Sequence, residues 1–272
     1  MEINKTKRNE LVGKYFVKTP DKPSYTGYII GIALFAILMI GGFPQRGGAA
    51  VVMRLAGFIG LVIVLKNLYT RNRVYTRAYN KAVPKATDDQ MDTWFEEGKK
   101  MVIEEARKRL DIDAGDDRAY PQMIDGPAGG SYIGSGADRK LRFSLHNILL
   151  IFLTDHHVAT FQCTLDLGLG EILHDKTKEF PYKDITNLET QTANEQFHYR
   201  NDEKIALKGL QTLSLYTSGG NVISVNYMFS KNTGTDKDDY IYPNSDAEDT
   251  IRAIRKKLKD YKDKVSKEDR QI

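Results

Sequence analysis

The chain has 272 residues, with 40 Lys and Arg against 36 Asp and Glu, a formal charge of +4, and a single cysteine. So small a basic excess, without any motif of a DNA- or RNA-binding fold, argues against a nucleic-acid partner. One cysteine rules out an internal disulfide and is typical of a reducing compartment such as the cytoplasm.

Two apolar stretches near the N-terminus predict a transmembrane helical hairpin over residues 24–65. The first, Ser24 to Phe43, has about twenty residues without a charge, enough for a helix to span the roughly 30 Å hydrocarbon core. The second, Ala49 to Leu65, is about seventeen residues long and near the lower limit. Pro44 and the glycines after it allow the reversal between them. Because the first stretch is too long for a signal-peptide core and a second follows at once, we expect a retained anchor.

Basic residues on both sides of the hairpin predict its orientation. Residues 1–23 form a basic N-terminal segment, and residues 66–86 form a basic stalk in which the second helix continues until Pro84. We therefore expect two spans in the plasma (inner) membrane, with both termini cytoplasmic and the lipid bilayer as a partner. The stalk residues expected to contact the membrane surface are Lys66, Arg71, Arg73, Arg77, Lys81 and Lys85.

Three residues inside the hairpin are candidates for intramembrane packing. Gly27 and Gly31 form a small-xxx-small pair, which lets helix backbones approach closely, either within the hairpin or, less favoured, against another subunit. Arg54 lies one turn inside the second span. We favour snorkelling of its guanidinium to the headgroups over a role in binding a partner.

An amphipathic helix over residues 87–112 follows the stalk. Thr87 and Gln90 form a capping-box pattern, and apolar residues from Met91 to Leu110 recur at three- and four-residue steps. We expect this stripe to pack on the domain that follows, with docking of a partner helix as the alternative. Residues 113–138 are Gly-rich, and because no helix pattern follows them, a flexible linker is favoured over a phosphate-binding loop, with a short strand possible over Tyr120 to Ile124.

The region 139–264 has strand character followed by one helix, and a charged tail covers residues 265–272. Asn147 to Leu153 is continuously apolar, as in a strand covered on both faces, and Val158 to Leu167 alternates. The further predicted strands are Glu171 to Phe180, Ile185 to Thr190, Leu210 to Thr217 and Val222 to Phe229. A helix that begins at Asp246 carries Ile251, Ile254, Leu258 and Tyr261 on one face, which should cap the sheet.

This order of strands and helix, together with the segments Leu153 to Val158, Thr164 to Gly168 and Glu179 to Thr186, resembles bacterial membrane proteins of uncharacterised function that carry a cytoplasmic pleckstrin-homology-like (PH-like) domain. The resemblance implies an α+β protein: a two-helix transmembrane hairpin, an amphipathic linker helix, and an antiparallel sheet domain closed by a C-terminal helix. It implies a fold and no reaction. The turn Thr154 to His156 lacks the basic cluster that multiply charged phosphates need, so a protein segment is the better ligand.

No pattern of catalytic, cofactor-binding or metal-ligating residues stands out in the sequence. His156 and His157 are adjacent and should point to opposite faces of a strand, while His146, His174 and His198 are scattered, as surface histidines commonly are. Cys163 lies mid-strand in an apolar alternation, which favours a buried, inert thiol. We therefore expect no enzyme, no cofactor and no metal.

The sequence thus predicts a non-enzymatic, membrane-anchored binding or scaffold protein that presents its PH-like module to a protein partner or to a second copy of itself. Two alternatives remain open. The polybasic stalk could make the protein a sensor of lipid charge. Less favoured is a membrane-bound enzyme of unknown reaction.

Overall fold

The structure is a computed structural model, and it describes residues 4–40, 48–112, 121–154, 157–192, 196–198, 204–206, 210–220, 222–228 and 247–268. The chain forms two compact units. One combines Met1–Val17 with Lys85–Ile272, and the other is Lys18–Pro84. We call the first the α/β unit and the second the apolar helix pair.

The apolar helix pair consists of α2 (Thr26–Ile40) and α3 (Gly48–Ala82), which pack antiparallel. Tyr25, just before α2, donates a 3.0 Å hydrogen bond from Oη to Asn72 Oδ1 of α3, whereas Phe35 lies against Gly60. Among the described helices, α3 alone is long and apolar enough to cross a membrane, whereas the described part of α2 has 15 residues. The helix α3 continues through the basic stalk to Ala82, as predicted.

Apolar side chains of this pair face outward on both helices. Ile37 of α2 and Val52 of α3 are each 65% exposed, and many of their Ile, Leu and Val neighbours are similarly exposed. In a water-soluble fold such side chains would be covered, because each buried aliphatic side chain stabilises by about 1.5–3 kcal/mol. A helix that is apolar around its whole circumference and uncovered by protein is suited to lipid.

The α/β unit begins with α1 (Lys5–Tyr15), in a segment for which the sequence predicted only basic character. Val12, Tyr15 and Phe16 are buried on one side of this helix, at the i, i+3, i+4 spacing of an amphipathic helix. Arg8 donates from Nε to the Leu167 carbonyl at 2.8 Å, which ties α1 to the turn after a strand about 160 residues away.

The helix α4 (Asp88–Arg109) forms as the sequence predicted. The Thr87 hydroxyl accepts from the Gln90 amide, and the Gln90 side chain accepts from the Thr87 amide, so the capping box is complete. Met91, Trp94 and Val102 are buried in the same core as α1. The apolar stripe therefore packs on the chain's own domain, as expected.

The strands of the α/β unit form two main antiparallel sheets. Their bounds are β1 (Gln122–Pro127), β2 (Ile133–Ser135), β3 (Leu141–Phe143), β4 (Leu145–Leu153), β5 (His157–Asp166), β6 (Glu171–Pro181), β7 (Ile185–Thr192), β8 (Gln196–His198), β9 (Lys204–Ala206), β10 (Leu210–Thr217) and β11 (Val222–Met228). The first sheet has the order β1-β4-β5-β6 and the second β11-β10-β7. Two short hairpins, β2-β3 and β8-β9, are additions, and α5 (Ala247–Glu268) ends the described chain.

The strand β4 of the first sheet is buried on both faces, as its continuous apolar run predicted. Ile148, Leu150 and Phe152 lie in a core shared with α1 and α4. Leu149 and Ile151 lie in a second core, shared with the second sheet and with α5. Successive side chains of a strand point to opposite faces, so a strand between two cores must be apolar at every position.

The predicted linker over residues 113–138 is corrected in its described part. β1 and β2 lie within it, and Ile124 and Ile133 are fully buried. Gly126 serves close packing, because a Cβ at this position would lie 2.0 Å from the carbonyl oxygen of Asn226 in β11. Residues 113–120 lie outside the described part of the chain.

Candidate functional site

The titratable groups that could carry chemistry are mostly buried or paired. Within the described residues, no group of three or more His, Cys, Asp and Glu side chains could hold a metal ion. Cys163 is 1% exposed, and burial raises the pKa of its thiol to about 12, so the thiol is protonated at neutral pH. This confirms the predicted buried, inert cysteine.

His146 is not the surface histidine that the sequence predicted. It is 4% exposed and stacks on Phe95 with ring centroids 4.0 Å apart. Burial lowers its pKa to about 3, so the ring is neutral, although a backbone hydrogen bond with Phe143 acts in the opposite direction. The Asp125 carboxylate lies 4.0 Å from its Nδ1. His174 is exposed, and the side chains of His156 and His198 lie outside the described residues.

Arg142 is the centre of a charge cluster that it forms with three carboxylates. Its guanidinium is 6% exposed and binds Asp92 through two hydrogen bonds of 2.7 and 2.8 Å and Asp138 through two of 2.9 and 2.8 Å. Asp88 lies 3.8 Å away and accepts from Tyr15 Oη at 2.8 Å. These bonds hold the pKa of Asp138 down at about 2. All these groups bind one another, so the cluster joins α1, α4 and the β2-β3 hairpin and offers no open site.

The strand β7 is an edge of the second sheet that could bind a partner through its backbone. It pairs with β10 on one side, and no other described strand pairs with it. Its side chains from Thr186 to Thr192 are exposed except for Leu188, and Glu189 is its one charged residue. The strand β6, an edge of the first sheet, carries five charges: Glu171, Asp175, Lys176, Lys178 and Glu179. Charged edge strands resist pairing with another chain, so β7 is the less protected edge.

The helix α5 packs on the second core, and two of its contacts lie near the two ends of β7. The ring of Tyr261, late in α5, lies 5.4 Å from that of Tyr182, just before β7. At the other end, the first turns of α5 meet Thr190, and a pocket of about 220 Å³ opens between helix and sheet. The pocket is lined by Thr190, Gln211, Tyr227, Glu248, Ile251, Arg252 and Arg255. We call this the α5–β7 pocket.

A larger depression of about 600 Å³ lies between α4 and β6. Five of its seven charged side chains are paired with one another. Arg109 bonds to Glu105 at 2.8 Å and lies 3.2 Å from Asp175, and Lys5 lies 3.0 Å from Glu171. A cavity whose cations and carboxylates neutralise each other has little electrostatic preference for a charged ligand.

The predicted surface-contact residues of the stalk are all exposed. Five of them lie on α3 and one, Lys85, follows in the α/β unit: they are Lys66, Arg71, Arg73, Arg77, Lys81 and Lys85. The Arg71 guanidinium lies 5.8 Å from the centre of the Tyr28 ring in α2. Arg54 is exposed near the start of α3. The geometry leaves these six cations accessible to an anionic surface.

The glycines that bring α2 and α3 together are only partly those expected. A Cβ on Gly31 would lie 3.6 Å from Val64, but Gly27 has nothing within 4 Å. The closest approach is at Gly60, where a Cβ would lie 2.3 Å from the Phe35 ring, and at Gly57, 3.2 Å from Met39. The sequence could have indicated Gly57 and Gly60 as packing positions, since these two small residues lie three residues apart within an apolar run.

Comparison of the chain with protein-family models, with curated proteins and with solved structures gives no match. The fold and the contacts described above are therefore the basis for assigning a function.

Proposed function

We propose that this chain is a non-enzymatic membrane-anchored protein, in which a two-span helical anchor holds a PH-like module at the cytoplasmic face and the module binds an extended protein segment along β7. The observation that carries the proposal is the eight-residue edge strand β7. It is exposed, carries a single charge and lies beside α5.

The connectivity of the α/β unit supports two spans. Residues 1–17 and 85–272 share one folded unit, and the chain leaves that unit at Val17 and returns at Lys85. Any segment between these points that crosses a bilayer must therefore cross it an even number of times. Since α3 has the length and composition of a span, α2 and the apolar residues after it supply the second. Lys and Arg residues precede α2 and follow the apolar part of α3. They favour a cytoplasmic location for these two flanks.

The order of elements supports a PH-like module. Leaving aside the short hairpins β2-β3 and β8-β9, four strands form one antiparallel meander and three form a second, and α5 packs its Ile251 and Ile254 into the core between them. This is the layout that the sequence resemblance implies. α1 and α4, which cover the other face of the first sheet, are additions to it.

Pairing of an extended segment with β7 has a simple physical basis. An edge strand presents unpaired N–H and C=O groups, and an added strand satisfies them while its alternate side chains contact the neighbouring groove. Here that groove is the α5–β7 pocket, which Gln211 of β10 and Tyr227 of β11 also line. An anchor that keeps the module at the membrane raises its effective concentration toward segments of other membrane-bound proteins or of a second copy.

The proposal is tested by photo-crosslinking of the full-length protein in its native membrane. A photoreactive amino acid replaces Gln191 on β7 and, as the matched control, Lys176 on β6; both are exposed. We expect a discrete crosslinked protein species from position 191 that is absent from position 176. Identical patterns at both positions, or none at 191, would contradict a partner on β7.

The exposed stalk cations support a second candidate, a sensor of lipid charge. Each basic residue near an anionic surface contributes about 1 kcal/mol of attraction. In nanodiscs, amide hydrogen exchange over residues 66–82 should then be slower with anionic lipids than with neutral lipids at low salt. Equal exchange in both would remove this candidate.

A further inference from the structure

We propose that the α5–β7 pocket binds the carboxylate of an Asp or Glu side chain carried by the partner segment. This inference rests on the proposed function, because the acidic residue belongs to the segment that pairs with β7. It is argued from the hydrogen-bond donors, the charges and the volume of the pocket.

The sheet side of the pocket offers hydrogen-bond donors from the Gln211 amide and the Thr190 hydroxyl. Tyr227 is 2% exposed, and its hydroxyl donates a 2.6 Å hydrogen bond to Gln211 Oε1. Burial raises the pKa of Tyr227, which keeps this hydroxyl protonated. The bond occupies the acceptor oxygen of Gln211 and leaves its Nε2 hydrogens without a partner among the described residues. Together with the Thr190 hydroxyl, these groups favour a ligand rich in acceptors.

The helix side of the pocket adds positive charge. Arg255 has no ion-pair partner in the described part of the chain. Arg252 lies 3.4 Å from Asp249, but both side chains are more than three-quarters exposed, so the pair is weak. Glu248 is the single acid among the lining residues. The two arginines outweigh it, and a guanidinium binds a carboxylate through two parallel hydrogen bonds.

The volume restricts what this charge can bind. About 220 Å³ is below the roughly 300 Å³ at which pockets for drug-sized ligands begin, so the space suits one side chain rather than a nucleotide. A multiply phosphorylated headgroup would need several unpaired cations, whereas this pocket has two arginines opposed by Glu248. A single carboxylate matches both the volume and the net charge.

The test is selection of a displayed library of random twelve-residue peptides on the full-length protein in lipid nanodiscs. Selection on the wild type should enrich peptides with Asp or Glu at one fixed position. Arg255→Glu should abolish that preference or replace it with Lys or Arg. Lys256→Glu makes the same charge change at an exposed neighbour that does not line the pocket, and it should retain the acidic preference.

One enriched peptide, synthesised with Asp or with Asn at the selected position, then measures the contact directly. Because hydrogen bonds to charged groups contribute about 1.5–3 kcal/mol, the Asn peptide should bind the wild type about tenfold more weakly. On Arg255→Glu, the two peptides should bind within about twofold of each other. A full Asp preference on Arg255→Glu would overturn the inference.

The remaining outcomes separate the inference from the function on which it rests. Peptides that slow amide exchange in β7 but show no acidic position would overturn the carboxylate pocket and retain the binding edge. Selection of no peptide would overturn both. If inorganic phosphate or phosphatidylserine vesicles bind in an Arg255-dependent manner while peptides do not, the pocket recognises a phosphate and the inference is wrong.

Discussion

Tyr15 Oη donates a 2.8 Å hydrogen bond to Asp88 Oδ1, across 73 residues of sequence. Tyr15 is the last residue of α1 and Asp88 the first of α4, and the apolar helix pair lies between them in the chain. The bond therefore joins the two points at which the chain leaves and re-enters one folded unit. Both residues belong to the Arg142 cluster, which therefore connects the two ends of the chain segment that leaves and re-enters the α/β unit.

Replacement of Arg142 by Met should strongly destabilise this unit. The change leaves Asp88, Asp92 and Asp138 facing one another without their cation. Because these carboxylate side chains are 28% to 48% exposed, we expect a loss of about 2–3 kcal/mol, less than for a fully buried ion pair. The midpoint of thermal unfolding should fall by about 5–10 °C.

The measurement is the fluorescence of the single tryptophan, Trp94, which is 7% exposed in the adjacent core and so reports this unit alone. Lys140→Ala, which removes an exposed cation 3.9 Å from Asp138, is the matched control and should shift the midpoint by no more than about 1–2 °C. Equal shifts for the two variants would show that the cluster is not structurally important.

His146 should make the stability of the unit fall at acidic pH. Its pKa is about 3 in the folded protein and about 6.5 in an unfolded chain, so the unfolded state alone binds the proton between these values. Stability is therefore lost as the pH falls from about 6.5 toward 3, by about 2–3 kcal/mol at pH 4.5. The His146→Gln variant should therefore lose less stability than the wild type when the pH falls from about 7 to about 4.5.

Thermal unfolding followed by Trp94 at the two pH values checks this expectation. His174→Asn changes an exposed histidine with a positive φ of 53°, which Asn tolerates, and should retain the wild-type pH dependence. If His146→Gln and His174→Asn respond equally to pH, the buried ring is not the titrating group.

Gly126→Ala should disrupt the contact between the two sheets. Its Cβ would lie 2.0 Å from the Asn226 carbonyl oxygen and 2.8 Å from the Tyr227 Cα, so backbone would have to move. We expect a loss of about 3 kcal/mol in the free energy of unfolding. At Gly129, three residues away, a Cβ meets nothing within 4 Å. Gly129→Ala should therefore be nearly neutral, and a similar loss at both glycines would contradict the close approach of β1 and β11.

Gly60→Leu should weaken the apolar helix pair, because its side chain would occupy the position of the Phe35 ring. A loss of about 1–3 kcal/mol is expected, seen as a lower temperature of aggregation in mild detergent. Phe35→Ala added to Gly60→Leu should partly restore the temperature. Gly27→Leu, at a position with nothing within 4 Å, is the control. An equally harmful Gly27→Leu would mean that overall bulk, rather than the α2–α3 contact, determines stability.

Single-cysteine labelling tests the topology of the chain. Lys7→Cys and Lys262→Cys, both exposed in the α/β unit, should react with a membrane-impermeant maleimide from the same side of the membrane. Gln45→Cys, between the two apolar stretches, should react from the opposite side. The native Cys163 is 1% exposed and contributes little background. Labelling of positions 7 and 262 from opposite sides of the membrane would contradict two spans.

The sequence by itself determined the elements whose signals are local. The capping box at Thr87, the continuation of α3 to Ala82, the doubly buried β4 and the apolar face of α5 all follow from periodicity, caps and breakers within about twenty residues of chain. The continuous apolar character of β4 also predicted that both faces of this strand are covered.

The tertiary structure alone decided which distant segments meet. The contact of α1 with α4, the three carboxylates around Arg142, the burial of His146 and the strands within the Gly-rich region depend on packing between residues far apart in sequence. The edge position of β7 and the α5–β7 pocket have the same origin. Local patterns specify which face of an element is apolar. Which other element packs against that face depends on the shape and charge of residues distant in sequence. A candidate binding site is formed by such long-range contacts.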